Sequence, residues 1–189
     1  MTVLTAFLDA NVLFPATTRS VLLELARKKV FRLLWSERVH DEWMRNLAAR
    51  FPNIAPEKIG RMRALMEGYV DDATVSGYEP TIASLTLPDA DDRHVLAAAI
   101  HGVASIIVTS NIRDFPAADL AVHGIAAMTP DAFAVRLFAL DREGVLEALA
   151  ADRGDMRNPP LTAEDYLNAL ARSGLTAFAD AVRASADQI

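Results

Sequence analysis

Three aspartates within four residues, Asp89, Asp91 and Asp92, stand directly before the alanine-rich run RHVLAAAI. Crowded carboxylates need a reason, because burying charge is costly unless it is paired or bound to a cation. The ordinary reason is a solvated helix start, where acids cap backbone N–H groups and complement the macrodipole. The alternative is a shared acidic site, which requires other carboxylates to reach the same place. Asp9 follows the apolar run VLTAFL, Glu42 lies on a helical stretch, and Asn111 and Asp114 follow the apolar run SIIVT that ends at Thr109. If the two apolar runs are adjacent parallel strands, both strand ends and the helix start meet at one edge of a sheet. Acids gathered there repel one another unless a divalent cation neutralises them. Oxygen donors without cysteine favour magnesium or manganese over zinc. One such ion activates water and stabilises charge on a phosphoryl oxygen, and two clamp the attacking and leaving oxygens.

The elements that must position these residues alternate along the chain. Residues 3–8 read as a buried strand ending at Asp9-Ala10-Asn11, and Thr18 is expected to cap a helix through Leu25 and Lys28. Residues 31–35 are apolar and fit either a helical turn or a strand. Ser36 has the character of an N-cap for a helix over 37–50, with Val39, Trp43, Leu47 and the side of Phe51 facing inward. Glu42 borders that stripe, where an ordinary surface pair with Arg38 or Asn46 is the alternative. Residues 56–70 predict a third helix that buries Ile59, Met62, Leu65, Met66 and Tyr69, followed by a loop with a short extended piece over 76–87. Residues 105–109 form a second clear strand and 125–128 a weaker one. Thr129-Pro130-Asp131 then starts a helix to Leu140. Strands alternating with helices predict an α/β fold with a mainly parallel sheet. After Leu140 only helical pieces remain, at 144–151, 162–172 and 175–186, broken by Arg157-Asn158-Pro159-Pro160, and Thr162 with Asp165 has the form of a capping box. The expected division is a main domain over 1–140 and a helical appendage over 141–189, packed on the main domain.

The 189 residues, 52% hydrophobic and 23% charged, suffice for a real core. Absence of cysteine excludes a disulfide framework, a thiol nucleophile and thiolate metal sites. No stretch approaches the ~20 apolar residues of a membrane span, and the first residues lack a basic start followed by a long apolar run, so a cytoplasmic protein is expected. A net charge of −6 argues against a general coat for nucleic acid. Residues 19–63 nevertheless carry eleven Lys/Arg against five Asp/Glu, a balance that suits an enzyme acting on polyanions or merely solvates two helices. His40 and His94 lie close in sequence to the acids, and His94 is near enough to approach the site, but both are expected at the surface or the core edge, and Trp35 and Trp43 in the core.

The segments FLDANVLF, SERVHDEWMRNL, DADDRHVLAAAI and IIVTSNIRDF, in that order, resemble the PIN domain, the metal-dependent ribonuclease fold of VapC-type toxins. The resemblance covers about Val3 to Ala139 and implies a three-layer α/β/α fold. It implies Asp9, Glu42, Asp92 and either Asn111 or Asp114 as the site quartet. Asp9 and Asp92 would be the main ligands of Mg2+ or Mn2+, and Glu42 would bind directly or through water. Thr109 would order the site by hydrogen bonding, with Asn11, Asp89 and Asp91 in support. It further implies endoribonuclease activity leaving a 5′-phosphate and a 3′-hydroxyl, a cognate antitoxin partner and a homodimer. The helices after Leu140 look like the C-terminal extension of one subgroup of these toxins. Arg19, Arg27, Lys28, Arg45 and Arg50 are then the candidates for RNA phosphate contacts, with Arg93 and Arg113 nearer the acids.

Two other readings compete. A strand ending in Asp and a strand ending in Thr also suit haloacid-dehalogenase-type phosphatases, but Asn11 stands where those need a second aspartate, and no lysine follows Lys58. A non-catalytic α/β interaction module with a vestigial acidic site is the other, and metal binding discriminates it.

Overall fold

A computed structural model describes residues 3–157 and 159–189. Five strands form one sheet, all parallel, in the spatial order β3-β2-β1-β4-β5. The strands are β1 (Leu4–Leu8), β2 (Phe31–Ser36), β3 (Thr74–Val75), β4 (Ile106–Val108) and β5 (Ala126–Met128). The ambiguous run after Val30 is therefore a strand. Continuous apolar character fits strands covered on both faces, and Ala6, Phe7, Leu8 and Ile106 to Val108 are all buried. β1 and β4 pair in the register Ala6–Ile106, Phe7–Ile107, Leu8–Val108. The order of connection reverses between these two strands, and in open parallel sheets ligands bind at the carboxyl ends of strands at such a switch point.

The helices in chain order are α1 (Ala10–Leu13), α2 (Ala16–Arg27), α3 (Glu37–Arg50), α4 (Pro56–Glu67), α5 (Glu79–Ile82) and α6 (Arg93–His101). They continue as α7 (Ala117–Ala121), α8 (Pro130–Leu140), α9 (Arg142–Asp155), α10 (Ala163–Arg172) and α11 (Thr176–Arg183). The Ser36 hydroxyl accepts the Val39 N–H and starts α3, and the Thr129 hydroxyl does the same for α8. α6 packs on β1, β2 and β4, and Gly102 ends it in tight contact with the sheet. A Cβ at Gly102 would stand 2.6 Å from Leu34 Cδ1 and 2.9 Å from Val75 Cγ2, so only glycine fits that approach.

Some expectations fail for identifiable reasons. Thr18 caps nothing. α2 starts two residues earlier, and the Thr18 side chain is buried inside it. α4 packs chiefly on α3 and buries only Ile59 and Met66, leaving Leu65 exposed and Tyr69 partly so. Phe51 is exposed and stacks on Phe14. His40 and His94 are fully enclosed rather than peripheral. His40 accepts the Trp43 indole N–H at 2.9 Å, and burial pushes its pKa down to about 4.

The helices after Leu140 share the core of the sheet. Tyr166, Leu167, Leu170, Phe178 and Val182 are buried in the same cluster as β1 and β4. α9 packs on α2, and α11 on α8. Between α2 and α9 the buried Asp152 carboxylate accepts hydrogen bonds from Ser20 and from the Tyr166 hydroxyl at 2.6 Å. At the start of α10, Asp165 N–H donates to the Thr162 hydroxyl at 3.1 Å, which in turn donates to the Asp165 carboxylate at 2.7 Å. The short Asp side chain thus closes on the capping hydroxyl instead of the backbone.

Candidate active site

Asp9 sits one residue past β1, where its backbone N–H still donates to Val108 O across the sheet at 3.0 Å. Its carboxylate caps α1 by accepting the Ala10 N–H at 2.6 Å, and the Thr109 hydroxyl donates to it at 2.7 Å. The Asn11 amide donates to Asp9 as well and to Thr109 Oγ1 at 3.1 Å. Asn11 Oδ1 accepts the Ser110 N–H, and Thr109 Oγ1 accepts the Asn111 N–H. Thr109 thereby uses its one donor and both lone pairs. The network ties the ends of β1 and β4 together. Burial raises the Asp9 pKa, with the charge of Glu42 adding to the rise, against the lowering hydrogen bonds of Thr109 and Ala10.

The three clustered aspartates separate by role. Asp89 accepts the Asp91 N–H at 2.9 Å and shapes the turn, and both are exposed. Asp92 occupies the N-cap position of α6 with a helical backbone and no capping hydrogen bond, so its half-buried carboxylate is not consumed by the helix. Burial pushes its pKa up to about 6, reinforced by the charges of Asp9, Asp89 and Asp114. The ordinary reading of these acids as a solvated cap fits Asp91, but not Asp92.

Glu42 projects from α3 toward the same place. Burial works against its charge, yet the hydrogen bond and charge of His94, followed by Arg38, hold its pKa below the usual carboxylate range. His94 Nε2 lies 3.0 Å from Glu42 Oε1, and Arg38 Nε lies 3.4 Å from the same oxygen. His94 stands two residues after Asp92 in the sequence, close enough to approach the site, but nothing there shows its partner. Its burial and its contact with Glu42 are what sequence reasoning missed. Replacing it by leucine should free the Glu42 side chain and weaken binding of Mn2+, read by calorimetry, roughly tenfold to a hundredfold. Glutamine, whose amide nitrogen reaches the Nε2 position, should restore most of the affinity. Equal losses in both variants, measured with both folded, would remove the positioning role.

At the fourth position the two candidates differ in burial and in what they touch. Asn111 is exposed and takes part through its backbone, whereas the charge of Asp114 is felt at Asp92. Among the described residues, no three Asp, Glu, His or Cys side chains already stand close enough to enclose a cation. Mg2+ and Mn2+ keep several waters and take one or two carboxylates from a protein, so Asp9 and Asp92 are the residues that would hold such an ion. Asp9 and Asp92 are hard oxygen donors whose proton affinity is raised by burial first and by neighbouring carboxylates second, and a divalent cation held between them would offset both.

The candidate phosphate contacts divide. Arg45, Arg50 and Arg113 are exposed. Arg93 begins α6 beside Asp92, with its Nε buried and without a hydrogen-bond partner in the fold. Arg19 is committed locally: its guanidinium donates to Leu13 O at 2.6 Å and lies 5.7 Å over the Trp43 ring. Arg27 and Lys28 are not brought to the site. They close α2 just before Phe31, which pairs with Leu4 at the opposite end of the sheet from Asp9, and Arg27 is bound to Glu24.

The PIN domain family matches residues 5–113, more than half of the chain. The VapC50 C-terminal domain family matches residues 130–184, beginning with α8. A Mycobacterium tuberculosis protein named "Putative ribonuclease VapC50" is 35% identical over 94 residues, which cover 50% of this chain and 55% of that protein. The match thus spans about half the length of that relative. No solved structure matches the chain.

Proposed function

This chain belongs to the PIN-domain family, and from that premise we propose that it is a divalent-metal-dependent endoribonuclease, the toxin of a toxin–antitoxin pair. What supports the reading is that Asp9, held at the β1–β4 switch point, feels the charge of Glu42, and that burial, with the charges of Asp9 and Asp114 adding to it, pushes the Asp92 pKa up to about 6. Asp9 and Asp92 would hold Mg2+ or Mn2+, with Glu42 bound directly or through water. When bound, the ion supplies a water of lowered pKa and stabilises charge on the phosphoryl oxygens.

The chain's own residues do the rest. Thr109, Asn11 and the Ala10 N–H fix the Asp9 carboxylate in one orientation. His94 and Arg38 keep Glu42 ionised, so that it can take a proton from the attacking water. In-line attack on the RNA phosphodiester then forms a new P–O bond and expels the 3′-oxygen, leaving a 5′-phosphate and a 3′-hydroxyl. Exposed Arg45, Arg50 and Arg113, with Arg93, supply phosphate contacts. No helix among the described residues is long and apolar enough to cross a membrane, and the cytoplasm is the location that goes with the proposed RNA substrate. The exposed apolar side chains Leu65 and Tyr69, which line one cleft, offer area to a cognate antitoxin or to a second copy in a homodimer.

Cleavage of cellular RNA by the purified full chain, with Mn2+, Mg2+ or EDTA, tests the reading. Discrete cuts that require the metal and leave ligatable 5′-phosphates are expected. Folded protein that cuts nothing and takes up no metal by calorimetry would overturn it in favour of an interaction module.

A stability measurement probes the acids without RNA. Asp92 binds its proton up to about pH 6 in the folded chain but only to ~4 in the unfolded one. Between those values the folded state holds more protons, so stability falls as pH rises through this window, and Asp9 acts in the same direction. Glu42, with its lowered pKa, acts oppositely and loses its contribution as pH falls. The metal-free protein should therefore recover a few degrees of melting temperature on adding Mn2+ at pH 7.5, and much less at pH 5. Asp92→Asn should raise the metal-free melting temperature at pH 7.5 and blunt the response to Mn2+. A wild-type melt indifferent to Mn2+ at both pH values would contradict a metal role for these carboxylates.

A further inference from the structure

The edge of the sheet that holds the acids continues into a second cleft of about 330 Å³. Its inner wall is Asn11 of α1, Pro15 before α2 and Ser110 after β4. Its outer wall is the start of α8 and the turn Ser173-Gly174-Leu175 between α10 and α11. Hydrogen bonds hold the outer wall together and tie it to α2. Asp131 accepts the Phe178 N–H at 2.9 Å and the Ala177 N–H at 3.1 Å, capping the start of α11 from α8. The Thr18 hydroxyl on α2 donates to Ser173 O at 3.4 Å. The inner wall belongs to the acidic site itself, because Asn11 donates to Asp9 and accepts from Ser110 N–H.

We propose that this cleft binds the base of a nucleotide adjacent to the bond that is cut, and that the C-terminal helices serve to form its outer wall. The proposal rests on the ribonuclease reading above. Asn11 and Ser110 are shared between this cleft and the network that holds Asp9, so a strand whose phosphate reaches Asp9 can lay the neighbouring base into it. No lysine or arginine lines it, and the Asp131 carboxylate does, so the cleft repels a phosphate and admits an uncharged ring. Pro15, Pro130 and Leu175 give apolar faces, and the volume lies at the lower end of the ~300–1,000 Å³ of small-ligand sites, suited to one base. The polar groups at the rim are rich in acceptors, namely the second lone pairs of Asp131 and the Ser173 carbonyl. Such a rim favours a base that carries an exocyclic amine over uracil. Splayed single-stranded bases are the usual targets of sequence-specific contacts to RNA.

The test uses the full chain on a pool of short RNAs randomised around the cut, with the products sequenced. Wild type should show one position beside the cut where amine-bearing bases exceed uracil roughly tenfold. Ser173→Trp, which fills the cleft from the exposed turn, should flatten that position to within about twofold and leave the preferences elsewhere in place. Ser173→Leu serves if the tryptophan variant melts early. Cleavage by wild type without a preference beside the cut overturns the proposal while the ribonuclease reading stands. An unchanged preference in both variants does the same. Loss of antitoxin binding instead of base preference would assign the cleft to the protein partner. If wild type cuts nothing with any metal, the ribonuclease reading fails and the cleft proposal falls with it.

Discussion

Replacing Asp9 by asparagine should lower metal-dependent RNA cleavage roughly a thousandfold and leave the chain folded. The carboxylate accepts from three donors, the Ala10 N–H, the Asn11 amide and the Thr109 hydroxyl. An asparagine keeps one acceptor oxygen and sets its own N–H2 against a donor, so the network at the end of β1 must rearrange. Negative charge is lost where the proposed ion binds, and so is the fixed orientation. Stability moves less, because neutralising a buried acid whose pKa is already raised relieves repulsion from Glu42 while the hydrogen bonds weaken. Single-turnover cleavage at saturating Mn2+, with thermal melts of both proteins, gives both numbers. An Asp9→Asn protein that cuts within tenfold of wild type would place catalysis elsewhere.

Deleting residues 141–189 should abolish cooperative unfolding. These helices are not an independent attachment: Val145, Leu149, Tyr166, Leu170, Phe178 and Val182 are fully buried in the core that contains the sheet. Each large apolar side chain left without its partners forfeits about 1.5–3 kcal/mol, against a net stability of about 5–15 kcal/mol for a whole domain. The truncated chain would expose the sides of α2 and α8 that α9 and α11 cover, including Phe138, whose ring meets Phe178 edge-on at 6.4 Å. A broad melt, dye binding to apolar surface and aggregation are expected. A milder probe is Tyr166→Phe, which removes one of two hydroxyl donors to the buried Asp152 and should cost about 1–3 kcal/mol. A 1–140 fragment that melts sharply within a few degrees of the full chain would instead establish two autonomous domains.

Those helices were legible as helices packed on the main domain, but the depth of their burial was not. Their separation from the strands in the chain suggested an appendage, while their burial depends on α2, more than 100 residues earlier. The site divided in the same way. Asp9 and Thr109 could be placed because each ends an unbroken apolar run, and such runs in parallel sheets deliver their last residues to one edge. His94 could not, since its partner Glu42 belongs to another helix and nothing in either segment announces the pairing. Arg27 and Lys28 misled because a charge count ignores position along a helix. The 12 residues of α2 span about 18 Å, enough to carry its last turn to the far end of the sheet. β3 escaped notice because two residues at a sheet edge hold no periodic signal, and α7 because five residues hold little more. In α4, periodicity overstated burial, since one neighbouring helix covers only a narrow stripe.

The pairing of β1 with β4 also orders events in time. Asp9 and Thr109 are 100 residues apart in the chain, yet one hydrogen bond joins them. At a synthesis rate of about 5–20 residues per second, roughly 5–20 s separate their appearance at the ribosome. Throughout that interval the nascent chain carries half of a site, with Asp9 lacking the hydroxyl that orients it. The outer wall of the cleft, at Ser173, follows later still. A protein proposed to destroy RNA is thus inert beside the messenger that encodes it, and becomes competent only once nearly all of it has been made.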